Sequence, residues 1–112
     1  RHYMIRSTTD TWGWRCDGFF AASTETVDDP TQPGFGAIDL PHEGPETYEN
    51  MWMKSRSIWA YIHDHYLDDF DFFYLSGDDT HVIVENLRSY LESLGARGKE
   101  FPLYLGHWIP DV

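Results

Sequence analysis

Residues 70–80 read FDFFYLSGDDT, an aromatic and aliphatic run that ends in a glycine and two adjacent aspartates. A short apolar run of this kind predicts a strand over residues 70–76, buried on both faces. The acidic turn Ser76-Gly77-Asp78-Asp79-Thr80 follows directly, and Gly77 is expected to allow its tight backbone path. Because ligands of parallel sheets collect at the carboxyl ends of strands, this turn is the first candidate for a binding site.

Two further segments have the composition of buried strands. Residues 17–23 (DGFFAAS) combine aromatic and small side chains, and residues 103–106 (LYLG) follow a proline. Between the first of these and the next helical pattern, residues 24–45 are rich in proline and glycine and show no periodicity. We expect this stretch to be a long loop, which in compact domains is often functional.

Helical patterns separate these strands. Residues 46–66 place apolar side chains on one stripe, with Pro45 suited to the first turn, and the tryptophans and tyrosines of this stripe are expected in the core. Residues 84–94 predict a second helix closed by Gly95, and a short helix is expected to end near Gly13. Strands that alternate with helices indicate an α/β fold with a mainly parallel sheet.

Length and charge narrow the classes of function. The chain has 112 residues, enough for one compact domain or part of a larger one, and 41% of them are hydrophobic, which argues against disorder. Its net charge of −11 repels phosphate backbones, so general nucleic-acid binding is disfavoured. No apolar run is long enough to span a membrane, and no signal peptide is visible. The first residue, Arg1, and the last, Val112, suggest a piece of a longer protein.

The paired carboxylates of Asp78 and Asp79 admit two interpretations. They could bind Mn²⁺ or Mg²⁺, hard cations that prefer oxygen ligands and often share them with nucleotide phosphates. Alternatively, aspartates that precede a helix cap its free N–H groups and interact favourably with its dipole. The spacing alone leaves both open.

Histidine and cysteine offer weaker candidates. His63 and His65 are two residues apart on a helix, point to opposing sides and cannot chelate one ion together, so one should face solvent while the other packs or bonds locally. His81, beside the acidic turn, and His107 are better placed for a functional imidazole. The one cysteine, Cys16, is either a buried thiol or the partner of a cysteine outside this chain. No nucleophile elbow, phosphate loop or dinucleotide fingerprint occurs.

Beyond single residues, ordered motifs resemble glycosyltransferase family 31, most closely the core 1 β1,3-galactosyltransferase branch near the Fringe-type enzymes. The matches run along nearly the whole chain, apart from the loop at 24–45. They are residues 11–13 (TWG), 15–16 (RC), Lys54, 61–69 (YIHDHYLDD), 71–73 (DFF), 77–88 (GDDTHVIVENLR) and 103–106 (LYLG).

The resemblance implies a partial catalytic domain of GT-A fold over residues 1–112, which would be the donor-binding part. Enzymes of this family transfer a sugar from a UDP-sugar, with inversion and with Mn²⁺, to an O-linked glycan on a glycoprotein. They are Golgi proteins held by an N-terminal membrane anchor, and a homodimer is left open. The catalytic base and a further metal-ligating histidine are expected beyond Val112, so the chain by itself should be inactive.

The family's acidic motif is usually Asp-Asp-Asp. Its last acid corresponds to Asp79, a metal ligand, and its middle acid to Asp78, which would support donor and metal binding. Its first acid corresponds to Gly77, a departure that also suits a non-catalytic, chaperone-like relative. Further donor contacts are expected from Thr11-Trp12 and Ser23-Thr24, for which helix capping and strand termination are equally good explanations.

Overall fold

The computed structural model describes residues 2–24, 26, 35–95, 102–108 and 110. The chain divides into two units, Arg1–His81 and Val82–Val112. In the first unit the elements follow one another as α1 (His2–Thr11), a 3₁₀ turn (Gly13–Arg15), β1 (Phe19–Ser23), β2 (Phe35–Asp39), a second 3₁₀ turn (Tyr48–Asn50) and α2 (Met51–Tyr66). Helix α3 (Val84–Ser93) lies in the second unit.

The sheet of the described residues consists of β1 and β2, which pair in parallel from Phe19↔Phe35 to Ser23↔Asp39. Strand β1 and the parallel pairing are compatible with the α/β expectation. The prediction that residues 24–45 form one long loop is wrong at 35–39, where β2 lies. A half-buried strand such as β1 needs a neighbour for its backbone N–H and C=O groups, and β2 supplies it with Ala37 only 3% exposed.

A small core packs between the sheet and α2. Its buried members are Leu40, which follows β2, and Ile58 and Ile62 of α2. Half-buried side chains from both strands, from α2 and from the segment after it surround these three: Phe20, Ala22, Ile38, Tyr61 and Phe73. The core therefore fixes the sheet against one face of α2.

Helix α2 starts at Met51, later than the predicted residue 46. The Pro45 carbonyl accepts hydrogen bonds from the Thr47 N–H at 2.9 Å and from the Asn50 side chain at 3.1 Å, so Pro45 lies in a turn before the helix. The expectation that aromatic side chains fill the core fails at the start of this stretch, because Tyr48 is 86% and Trp52 64% exposed. The core positions belong to Ile58 and Ile62, about two and three turns after Trp52.

The two other predicted strands are wrong. Residues 70–76 and 103–106 are described without strand pairing. Within 70–76 only Phe70 and Phe73 are half-buried, and Tyr104 is 95% exposed. Apolar composition cannot make a strand by itself, since the ladder needs a hydrogen-bonding neighbour.

The second unit confirms the helix predicted over 84–94. Helix α3 ends at Ser93, and Gly95 follows with φ +52°, the left-handed conformation of a glycine that closes a helix. Val84, its first residue, is buried at 4% exposure. None of the described helices has both the length and the apolar character needed to cross a membrane.

Truncation of the core should cost far more stability than an equal truncation at the surface. Ile62→Ala removes atoms from a side chain that is 8% exposed, and we expect the free energy of unfolding to fall by about 2 kcal/mol, the lower end for such changes because the core is small. Urea unfolding measures this loss. Leu67→Ala, at a side chain 51% exposed, is the control, and an equal loss in both variants would contradict the assigned core.

Candidate functional site

The acidic turn is held from one side by α1 and the residue that follows it. The Trp12 indole N–H donates a hydrogen bond to the Thr80 carbonyl at 3.1 Å, and the Thr8 hydroxyl donates a longer one to the Asp78 carbonyl at 3.4 Å. Within the turn, the Thr80 N–H donates to the Gly77 carbonyl at 3.3 Å. The backbone of this turn is therefore fixed both by its own bond and by two distant side chains.

Burial of Trp12 explains why this contact forms. Its indole ring is 6% exposed and meets the rings of Phe19 and Tyr74 edge to face, with centroids 6.0 and 6.5 Å apart. Gly13 is needed beside it, because a Cβ there would lie 3.2 Å from the Phe19 ring and 3.3 Å from the Thr8 carbonyl. A buried indole N–H needs an acceptor, and Thr80 supplies one.

The predicted donor contacts at Thr11 and Trp12 occupy different environments. Thr11 is exposed, and its hydroxyl donates back to the Ser7 carbonyl at 2.6 Å within α1. Trp12 lies beneath the acidic turn with its N–H already bonded. Of the two residues, Trp12 therefore lies at the acidic turn. It contacts the backbone carbonyl of Thr80 and not the Asp78 or Asp79 carboxylates.

Asp78 and Asp79 are both exposed. The interpretation that they cap the following helix is wrong, because α3 has Ile83 as its N-cap residue and no side-chain cap bond. Their carboxylates remain free of that role and face solvent, as ligands of an incoming cation must.

Gly77 acts through its small size and not through its backbone conformation. The expected tight path is present, since the Thr80 N–H donates to the Gly77 carbonyl at 3.3 Å, but the described glycines with positive φ are Gly44 and Gly95, so the turn does not need a glycine at position 77 for its backbone conformation. A Cβ on Gly77 would lie 2.7 Å from the Asp79 Oδ1 atom. The absent side chain therefore leaves room for the Asp79 carboxylate.

The carboxyl edge of the parallel sheet carries the other predicted donor contacts. Ser23 ends β1 and pairs with Asp39 at the end of β2, and exposed Thr24 follows. A surface pocket of about 200 Å³ opens here, lined by Thr24, Asp39, Leu40, Pro41, His42, Gly44 and Glu46. Sequence reasoning missed Asp39 and His42 because it placed both in a loop; the signal available was the short apolar run FGAID.

His42 is the centre of a polar cluster on the pocket wall. Its side chain is 6% exposed, and its two ring nitrogens face the Glu43 carbonyl and the Glu46 carboxylate, each at 3.2 Å. Lys54, from α2, binds the same Glu46 oxygen at 2.8 Å. Since both facing atoms are acceptors, the ring satisfies them together only when both nitrogens carry protons.

The same contacts shift the acid–base equilibria of the cluster. The Glu43 carbonyl and then the Glu46 carboxylate raise the pKa of His42 above 6.5. Lys54 and then His42 lower the pKa of Glu46 below 4.5. Both shifts favour the charged pair at mildly acidic pH.

His63 and His65 belong to α2. His63 is 71% exposed and bonds Asp64 at 3.0 Å, while the His65 ring packs 4.4 Å from the Tyr61 ring, in agreement with the expectation that one faces solvent and the other packs locally. His81 and His107 are exposed. Cys16 is half-buried.

The chemistry of the turn fits a metal only in part. Two exposed carboxylates supply hard oxygen ligands, but the described residues assemble no group of three or more side chains able to hold a metal. Such a donor set suits a cation that takes its remaining ligands from a diphosphate and water.

Comparison with known proteins adds a functional direction. The chain is 28% identical over 97 residues to the glycoprotein-N-acetylgalactosamine 3-beta-galactosyltransferase 1 of Xenopus laevis, a match that covers 87% of this chain and 24% of that protein. It is 40% identical over 53 residues to chondroitin sulfate synthase 3 of Homo sapiens and of Mus musculus, covering 47% of this chain and 6% of each. The chain thus spans about a quarter of the first relative and much less of the others.

No family model and no solved structure matches the chain. The similarity to these named proteins points to a glycosyltransferase, and the helices and parallel strands are compatible with an α/β fold.

The cluster around His42 should show a defined pH dependence. His42, with its pKa raised, stabilises the fold fully below pH 6.5 and loses this contribution as pH rises through its folded pKa. Glu46, with its pKa lowered, contributes above pH 4.5 and loses its contribution as pH falls through its folded pKa. Both contributions are present between these values.

NMR titration of the His42 ring protons should therefore give a pKa above 6.5. His42→Gln should flatten the decline of unfolding free energy as pH rises above 6.5, whereas His63→Gln, at an exposed ring, should keep the wild-type decline. A His42 pKa at or below 6.5 would contradict the double hydrogen bond.

Proposed function

We propose that this chain is the donor-binding part of an inverting glycosyltransferase of GT-A fold. The whole protein would transfer a hexose, galactose in the first instance, from a UDP-sugar to an O-linked glycan on a glycoprotein in the Golgi lumen. The observation that carries the proposal is the exposed pair Asp78-Asp79 on a turn anchored by Trp12, within a chain similar to proteins named as a galactosyltransferase and a chondroitin sulfate synthase.

The residues divide the work between two places. Asp79 would ligate Mn²⁺ or Mg²⁺, and Asp78 would support it and the donor. When bound, the cation would supply positive charge against the diphosphate leaving group. Thr24 and Asp39, at the carboxyl edge of the sheet, offer a hydroxyl and a carboxylate that suit hydrogen bonds to the polar groups of a nucleoside.

A bound metal ion would also reduce the repulsion between this acidic chain and a nucleotide diphosphate. The chain has a net charge of −11, which disfavours a nucleotide diphosphate on its own. A divalent cation held by two carboxylates would neutralise their negative charge and keep its open coordination positions for phosphate oxygens. Donor binding should therefore depend on the cation more than on any basic side chain.

A second candidate function is that of a non-catalytic, chaperone-like partner of an active relative. Gly77 favours it, since the position carries no carboxylate and its space is taken by the Asp79 side chain. Such a protein would bind an active relative and would bind no UDP with Mn²⁺. Co-purification with an active relative, combined with absent donor binding, would support this alternative.

Asp79 should be required for donor binding by the intact protein. Asp79→Asn removes the ligand charge and should weaken Mn²⁺-dependent UDP binding by about tenfold or more, equivalent to at least about 1.4 kcal/mol. Titration calorimetry with and without Mn²⁺ measures the change.

Asp71→Asn is the matched control, because it changes the net charge equally at another exposed aspartate. It should bind like the wild type. Equal losses in both variants would mean that only net charge matters, and absent binding by the wild type would remove the enzymatic proposal.

A further inference from the structure

Two carbonyl groups that flank Asp79 in the chain are both bound by residues of the amino-terminal segment. The Asp78 carbonyl accepts from Thr8, and the Thr80 carbonyl accepts from Trp12. These contacts connect positions 70 and 68 residues apart in sequence. Asp79 is therefore bracketed: Thr8 holds the Asp78–Asp79 peptide before its Cα, the Thr80 N–H bond to the Gly77 carbonyl holds the peptide after it, and Trp12 holds the next peptide along.

From this bracket we propose that Trp12 and Thr8 are positioning residues, which hold Asp79 in the orientation in which its carboxylate ligates the donor's metal ion. The inference rests on the proposed function and adds to it two residues that touch neither metal nor donor. They act through the backbone of the acidic turn.

Burial makes these two bonds effective. Thr8 is 7% and Trp12 6% exposed, so water cannot easily replace the acceptor that each has found. Loss of either donor would remove one of the bonds that hold the turn and would leave a carbonyl without its protein donor. The Trp12 bond is the shorter of the two and should contribute more.

Gly77 leaves open the space that the same carboxylate occupies. Because a Cβ at Gly77 would lie 2.7 Å from the Asp79 Oδ1 atom, the carboxylate rests over the glycine. The bracket holds the backbone that carries this side chain, and the bare glycine permits the position that the carboxylate takes. Preorganisation of this kind raises affinity without any new contact to the ligand.

The chain offers a matched control for Thr8. Thr9 is equally buried at 6% exposure, but its hydroxyl donates to the Ile5 carbonyl within α1 at 2.9 Å and not to a carbonyl of the turn. Thr8→Val and Thr9→Val make the same chemical change on adjacent residues of one helix. Any difference between them at the turn is due to the contact with Asp78.

The test measures two quantities in the intact protein carrying Thr8→Val, Trp12→Phe or Thr9→Val. Amide hydrogen exchange reports the opening of the turn at the Thr80 N–H, and calorimetry reports UDP affinity with and without Mn²⁺. We expect Thr8→Val and Trp12→Phe to raise Thr80 exchange and weaken Mn²⁺-dependent binding by about 3- to 10-fold each, with Trp12→Phe the stronger. Thr9→Val should leave both unchanged.

Affinity for UDP without Mn²⁺ should not change in any variant, because the bracket acts on the metal ligand. If Trp12→Phe fails to fold, Thr8→Val against Thr9→Val still decides the matter. If the wild type binds UDP with Mn²⁺ but Thr8→Val and Thr9→Val have the same Thr80 exchange and the same affinity, the positioning role is overturned and the proposed function is not. Absence of Mn²⁺-dependent binding in the wild type would instead contradict the proposed function.

Discussion

A hydrogen bond from the Trp12 indole to the Thr80 carbonyl joins the amino-terminal helix to the acidic turn across 68 residues of sequence. The bond forms because the indole is buried between aromatic rings, where an N–H without an acceptor would be costly. With Thr80 held, the exposed aspartates before it have a defined place relative to α1 and β1. The candidate metal site depends on this contact more than on any property of the aspartates themselves.

Strand pairing produces the second functional feature. The parallel pair β1–β2 brings Ser23 and Asp39 to one edge, and the loop after β2 closes a pocket there. Glu46 stabilises that loop by accepting hydrogen bonds from Lys54 and His42, so the pocket wall contains an ion-pair cluster with opposite pKa shifts on His42 and Glu46. In the proposed function, this pocket and the acidic turn would serve the same donor, the pocket through its hydroxyl and carboxylate groups and the turn through its metal.

Local patterns predicted the helices better than the strands. The stripe over residues 46–66 contained the core positions Ile58 and Ile62, and Gly95 marked the end of α3, because both depend on nearby residues. The strand predicted at 70–76 was wrong and β2 was missed, since a strand exists only through a neighbour that local composition does not name. The aspartates were visible in the sequence, whereas Thr8 and Asp39 acquire their places only through tertiary contacts.

Paramagnetic line broadening by Mn²⁺ is the most direct test of where the metal binds. In ¹⁵N-labelled protein with UDP, substoichiometric Mn²⁺ should first broaden the amide signals of residues 77–81 and the Trp12 indole N–H signal. The internal comparison is a separate surface pocket where other aspartates could attract Mn²⁺. It is lined by Asp17, Asp68, Asp69, Phe70 and Asp71. Broadening that starts at this pocket, or none that is specific at 77–81, would contradict a metal site on the turn held by Trp12.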